Sequence, residues 1–416
     1  MSTESFIPPI HNYPLMWFMD NALKVLMKGV NNVDEVVISE LDKEKLKKYK
    51  NERLIYISNH PTTKEPPISY IVGNHMYSRF HYMASREVFD WGNGVVGNLI
   101  QNIGAFSVIA GTSDRESLKT TRSILAKPGG KLVLFPEGEP TGAENDNLLP
   151  FQSGVSQLGF WGYEDAIKMD PAADITVLPA FIKYRMSGTK QEIRKDVDKS
   201  LEVMEKRLGI SKKGKDIVHR LLSIGKRLVE RAEKQFGIIP DESQTFDYRI
   251  GALRHRILDI VAETVALKKY NKDDHAIDKL RKILSTFEMV FVGVPDPKGE
   301  LPSLDKAKWG RKYCQRAYDF ISIKTEYLTS FPSAERIYEW IYRFESELIG
   351  YTYQRPQKAY VHFAPDFKIS EYYANYKKDK KGTVESLTAR LREEIQKLLD
   401  REVQLSEKLF PDEYKF

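Results

Sequence analysis

Short apolar runs rich in β-branched residues alternate with amphipathic stretches along the first 185 residues of the chain. The runs at residues 33–38, 54–57, 80–84, 105–109, 132–135 and 175–178 read as strands, the last stopped by Pro179. Residues 13–30, 41–50, 95–103 and 117–125 carry apolar side chains at helical spacing. The first of these helices has Trp17 near its start and reads as packing on its own domain in preference to lipid. Unbroken apolar strands such as Leu132-Val133-Leu134-Phe135 suit a parallel sheet covered on both faces. The alternation predicts an α/β fold, with a mainly parallel central sheet flanked by helices. From Lys190 the texture changes to helical spacing, over residues 193–208, 215–236, 246–270, 276–288 and 307–330, with a loop at 295–302. No repeat length is fixed there, which argues against a solenoid. Strand character returns at 358–363, followed by a connection at 365–370 and a helix at 383–405.

Composition narrows the class. A chain of 416 residues is longer than one core usually serves, so two domains, or one with a large insertion, are expected. Hydrophobic content of 41% with charged content of 29% fits a soluble globular protein. No apolar run approaches the roughly 20 residues that span a bilayer, and no secretory pattern opens the sequence. The single Cys314 cannot form an internal disulfide and lacks the company a zinc site needs, which agrees with a reducing, cytoplasmic setting. Net charge is +6. Between Lys190 and Lys234, 14 Lys and Arg face 8 Asp and Glu, so that segment alone carries a surplus equal to the whole chain's. A solvated helix face is the ordinary reading, and a docking surface for an anionic membrane the functional one. No nucleic-acid motif accompanies the charge.

Candidate chemistry lies where strands give out. Ser58 and Asn59 end the run from Leu54, so His60 falls at the strand's exit, and Glu65 follows before Pro66-Pro67. The prolines are expected to hold Glu65 extended, while also suiting the first turn of a helix. A carboxylate that accepts from one imidazole nitrogen fixes the tautomer and leaves the other free to take a proton. Glu137 and Pro179 likewise fall past strand ends, the edge at which α/β sheets bind ligands. Gly92-Asn93-Gly94-Val95-Val96-Gly97 matches the dinucleotide-binding glycine pattern literally, with Asp114 downstream. The context is wrong, because Arg86, Glu87 and Asp90 separate it from the preceding strand; a turn into a helix is preferred.

Asn59-His60 with Glu65, Phe135-Pro136-Glu137-Gly138 and Val177-Leu178-Pro179 resemble, in order and spacing, the successive motifs of the glycerolipid acyltransferase family. Ala84, Glu87 and Phe89, then Gly104-Ala105-Phe106, and then residues 150–155, resemble the intervening segments. The resemblance implies acyl transfer from a thioester, coenzyme A or acyl carrier protein as co-substrate, to a lipid hydroxyl. No other cofactor and no metal are implied. His60 would be the general base and Glu65 its orienting acid, with Glu137 and Gly138 in the acceptor pocket. Backbone amides near Gly138 are candidates for an oxyanion hole. It further implies a peripheral membrane association, and a domain of residues 1–189 closed by 356–416 around a helical insertion at 190–355. The chain departs from the family pattern at four places. Glu65 stands where aspartate is usual, Ala110 and Pro140 where arginines are common, and a lysine often found near Gln152 is missing. Those cations would grip a phosphate by charge-assisted hydrogen bonds. Their loss points to a lysoglycolipid or other lysolipid acceptor, or to a phosphate held by Arg115, Lys183 or Arg185. A lipid-binding scaffold on a disabled acyltransferase fold is the alternative.

Overall fold

The computed structural model describes residues 6–109, 114–138, 144–211, 215–319 and 324–410. The chain divides into two compact units, Met1–Arg185 with Gln357–Leu405, and Met186–Pro356 with Ser406–Phe416. The first unit opens with α1 (Tyr13–Asn31), β1 (Val33–Val37), α2 (Glu40–Leu46), β2 (Leu54–Ser58), α3 (Glu65–His75) and β3 (His81–Ser85). It continues through α4 (Val95–Asn102), β4 (Ala105–Val108), α5 (Arg115–Ala126), β5 (Lys131–Leu134), α6 (Gly154–Met169) and β6 (Thr176–Met186). The second unit holds α7 (Lys190–Leu208), α8 (Ile217–Gln235), α9 (Phe246–Thr264), α10 (Ala276–Val292), α11 (Leu304–Asp319), α12 (Thr325–Ser330) and α13 (Ala334–Ile349). The chain then returns to the first unit with β7 (Gln357–Phe363), β8 (Phe367–Lys368), α14 (Ser370–Lys378) and α15 (Lys380–Gln404).

All eight strands share one sheet, ordered β1-β7-β6-β2-β5-β3-β4, with β8 antiparallel to β6. β2 lies at its centre, parallel to β5 on one side and β6 on the other. Its residues alternate between the two cores, as the two-residue period of a strand requires. Leu54 and Tyr56 pack with Met16, Met19 and Leu23 of α1, while Ile55 and Ile57 pack with Phe160 of α6 and Leu391 of α15. β7, 171 residues beyond β6's last residue in the sequence's numbering of the closing strand at 357, lies between β1 and β6. The fold is α/β, mainly parallel and flanked by helices, with a large helical region toward the C-terminus.

Several elements differ from the sequence reading. Pro179 does not stop β6, which runs on to Met186, with Ile57 paired to Pro179 and Ser58 to Ala180. The Pro179 carbonyl accepts from the Ala364 amide, so the side lacking an N–H faces the chain just past β7 and not β2. Pro179 is therefore mid-strand, not beyond a strand end. Glu65 is not held extended; it is the first residue of α3, and the prolines occupy the first turn, where absent N–H groups break no helical bond. The stretch read as one helix over 307–330 is divided between α11 and α12, with 320–323 outside the described residues. Helices α6, α13 and α14 carry no element in the sequence reading. In the second unit, α13 buries Ile337, Trp340, Ile341 and Phe344 at helical spacing.

The glycine pattern at residues 92–97 is accounted for by local chain geometry. A 3-10 segment, Arg86–Gly94, follows β3 and includes the first three residues of the pattern. Gly92 and Gly94 take positive φ, and a Cβ on Gly97 would lie 2.0 Å from the Phe89 carbonyl oxygen. Glycine is needed there for close packing of α4. No described helix is long and apolar enough to cross a membrane.

Candidate active site

The carboxyl ends of β2 and β5 are neighbours, because the two strands are parallel and in register from Leu54–Lys131 to Ile57–Leu134. His60 leaves the first and Phe135 the second. Their rings stack with centroids 4.3 Å apart and planes 19° off parallel. His60 Nδ1 lies 2.8 Å from Oε2 of Glu65. That oxygen also accepts from the Thr62 amide at 3.1 Å. Oε1 accepts from the Thr62 hydroxyl at 2.7 Å and from the phenol of Tyr184 on β6. Glu65 is fully buried, while the His60 side chain keeps 14% of its surface exposed. Burial pushes the Glu65 carboxyl up, but the His60 contact and the Tyr184 and Thr62 hydrogen bonds outweigh it and hold the group below its ordinary range. An ionised Glu65 accepts, so Nδ1 carries the imidazole proton and Nε2 is left as an acceptor.

Glu137 joins this arrangement through the backbone. Its Oε1 accepts from the His60 amide at 2.8 Å and its Oε2 from the Leu149 amide at 2.9 Å. The carboxyl thus ties the turn after β2 to the loop before α6. Burial pushes it up to about 7, against those two hydrogen bonds. Gly138 takes φ +79°, and its amide donates to the Phe135 carbonyl at 3.1 Å in a tight turn. A Cβ there would meet the Gln152 side chain, whose backbone N–H donates to the Pro136 carbonyl at 2.7 Å. Glu137 and Gly138 therefore stand beside His60, the former holding its backbone.

Among the described contacts, none joins the three cations to the imidazole. Lys183 is fully buried and ion-paired with buried Asp146. Arg185 pairs with Glu402 at 2.8 Å and bonds the Leu405 carbonyl. Arg115 opens α5 with an exposed side chain. Ala110 and Pro140, where the sequence lacks the family's arginines, lie outside the described residues.

Four contributors escaped the sequence reading. Thr62, between His60 and Glu65, had no assigned role, and Phe135 was read as a strand and motif residue without its contact to the imidazole. Asn145 and Tyr184 had no local signal. Past Ala180, where the β2 pairing ends, the Asn59 amide bonds both the N–H and C=O of Ile182. Asn145 bonds the same carbonyl and the Tyr184 amide. Side chains thus replace a neighbouring strand and carry β6 forward until Tyr184 reaches Glu65.

A cleft of about 880 Å³ in this unit lies elsewhere, at the start of β3 and β5. Two of the cations lining it have internal partners. Lys131 donates to three backbone carbonyls, and Arg79 pairs with Asp20 at 2.6 Å. The His60–Glu65 pair lies at the opposite strand ends.

An α/β domain with a buried carboxylate and a partly exposed imidazole at its sheet's carboxyl edge is the class defined by this fold and site. Residues 38–183 match the family model described as Acyltransferase, that of the glycerolipid acyltransferase family. The matched span includes His60, Glu65, Glu137 and Gly138 and ends before the helical unit. No curated protein matches the chain.

Proposed function

We propose that this acyltransferase domain moves a fatty acyl group from an acyl thioester, on coenzyme A or an acyl carrier protein, to a hydroxyl of a lysolipid or glycerol-phosphate-type acceptor. The contact between His60 Nδ1 and buried Glu65 carries the reading. An alcohol is a poor nucleophile at neutral pH, and His60 Nε2 is the acceptor available for its proton. The alkoxide oxygen bonds the thioester carbonyl carbon as the proton passes to Nε2. Collapse of the tetrahedral intermediate breaks the carbon–sulfur bond, and the imidazolium returns the proton to the departing thiolate. Glu65 stabilises the imidazolium without itself becoming protonated. The stacked Phe135 ring gives the imidazole an apolar wall.

The engagement of Lys183 and Arg185 supports an acceptor that needs no multi-cation phosphate grip; Arg115 is the cation of the three that makes no ion pair with a described residue. Transfer assays with lysophosphatidate and a lysogalactolipid test this. A clear preference for lysophosphatidate would overturn the glycolipid acceptor, and undiminished transfer by His60→Ala would favour the scaffold alternative.

Peripheral binding to an anionic lipid surface belongs to the same proposal. One face of α1 is buried through Met16, Met19, Leu23 and Met27, while Trp17 (70% exposed), Phe18 and Val25 (74%) stand outside with Lys24 and Lys28. Apolar side chains interspersed with lysines suit insertion at a negatively charged headgroup layer. Sedimentation with anionic vesicles should retain the protein, and Trp17→Ala with Val25→Asp should release it; equal retention of both proteins removes this surface from the proposal.

A further inference from the structure

We infer that Tyr184 is a positioning residue for the His60–Glu65 pair, its phenol holding one carboxylate oxygen so that the other faces the imidazole. This rests on the reading of His60 as the general base.

The two carboxylate oxygens have separate work. Oε2 meets His60 and the Thr62 amide, whereas Oε1 meets two hydroxyls, from Thr62 and Tyr184. Thr62 is three residues from Glu65 and moves with the same turn. Tyr184 is 119 residues away and fixed to the sheet, so it is the donor that references the carboxylate to the domain's frame. Its backbone is secured by Asn145, and its neighbour Ile182 by Asn59, the residue directly before His60. Base, acid and phenol are thereby referred to one rigid patch spanning β2 and β6. Burial, with the Glu65 charge beside it, keeps the phenol protonated and therefore a donor.

Removing that donor has a defined electrostatic sign. An ionised Glu65 without the phenol is less stabilised, and more of its charge is left for the imidazole. Both effects make the pair hold its proton more tightly, and the titration belongs to the pair as a unit. Among the described residues, the other ionisable groups facing it are Glu137 after β5, Lys64 before α3 and Tyr56 on β2. All three remain in the variant and form a constant background.

The test is Tyr184→Phe in the full chain, read by NMR titration of the isotope-labelled His60 imidazole and by the pH profile of acyl transfer. The expected result is an upward move of the His60 titration, a matching upward move of the acidic limb of kcat, and a kcat loss of roughly tenfold with both KM values nearly unchanged. A merely structural tyrosine would lower Tm and leave the titration in place. Replacing Tyr184 by 3-fluorotyrosine keeps the shape and strengthens the donor, so it should move the titration down; this arm stands even where the phenylalanine variant does not fold. An unmoved titration in the folded fluorotyrosine protein, or in folded Tyr184→Phe, overturns the inference. The imidazole titration needs no turnover. A failure of the acyl-transfer reading, seen as an active His60→Ala, is therefore distinguishable from a failure of this one.

Discussion

Glu65→Gln separates charge from shape at the centre of the site. The glutamine amide has one acceptor and one donor end. At the Oε2 position an NH2 would face the Thr62 amide, another donor, while at the Oε1 position it faces two hydroxyls that can rotate and accept. The side chain therefore settles with its oxygen toward His60 and its NH2 toward Tyr184 and Thr62. The imidazole keeps its tautomer and orientation, and only the negative charge is lost. Two unit charges about 4 Å apart at an effective dielectric of about 20 interact by about 4 kcal/mol. At about 1.36 kcal/mol per decade, that sets a ceiling of about a thousandfold on the loss of kcat. A drop of about 10²- to 10³-fold is expected, with KM for donor and acceptor nearly constant, because the charge acts on an imidazolium that exists only during proton transfer. Steady-state transfer from acyl-coenzyme A to the preferred lysolipid, beside thermal unfolding of the same preparation, measures both parts. Wild-type kcat in a folded variant would falsify the role assigned to Glu65.

The buried carboxyl of Glu137 gives the fold a pH signature. Its folded-state value of about 7 lies above the ordinary 4.5, so its contribution to stability is complete below about 4.5 and is lost as pH rises to about 7. At about 1.36 kcal/mol per pH unit the swing is about 3 kcal/mol, and Glu137→Gln should remove it in denaturant titrations at pH 5 and 8. An unchanged pH dependence in the variant would contradict the burial argument. Gly138→Ala combines a left-handed φ with a Cβ 1.7 Å from the Gln152 amide nitrogen, and should lose about 1–3 kcal/mol together with activity. A wild-type Tm would show that the turn relaxes freely. Lys183→Ala removes the cation beside buried Asp146 and should cost about 3–5 kcal/mol in chemical denaturation. The paired change Lys183→Met with Asp146→Leu should recover most of that loss, and no recovery would mean the ion pair is not the cause.

Residues close together in the sequence were the legible part. The apolar run from Leu54 to Ile57, the polar break at Ser58-Asn59 and the carboxylate five positions past His60 are local facts, and the strand, its exit and the contact within the turn follow from them. Alternation of apolar runs and amphipathic stretches determined the α/β class, because a strand buried on both faces and a helix with one apolar stripe leave different periods in the chain. Two errors of boundary also have local causes. A proline reads as a strand stop until its missing N–H is seen to face the chain beyond β7's end, and a residue before proline reads as extended until a helix starts on it.

What only the tertiary structure decided concerns partners far apart in sequence. Tyr184 meets Glu65, Glu137 holds the His60 amide, and Asn145 extends β6; the separations are 119, 77 and 37 or 39 residues. The register of β2 with β5 and β6 is what aligns these positions, and a one-residue slip of β6 would turn Tyr184 to the other face. The same holds for the cations. As residue types Lys183 and Arg185 suit an anionic ligand, but their carboxylate partners, Asp146 and Glu402, are chosen by the packing. A local pattern fixes which groups are offered; the fold fixes which of them meet, because a hydrogen bond depends on a few tenths of an ångström that the order of residues does not encode.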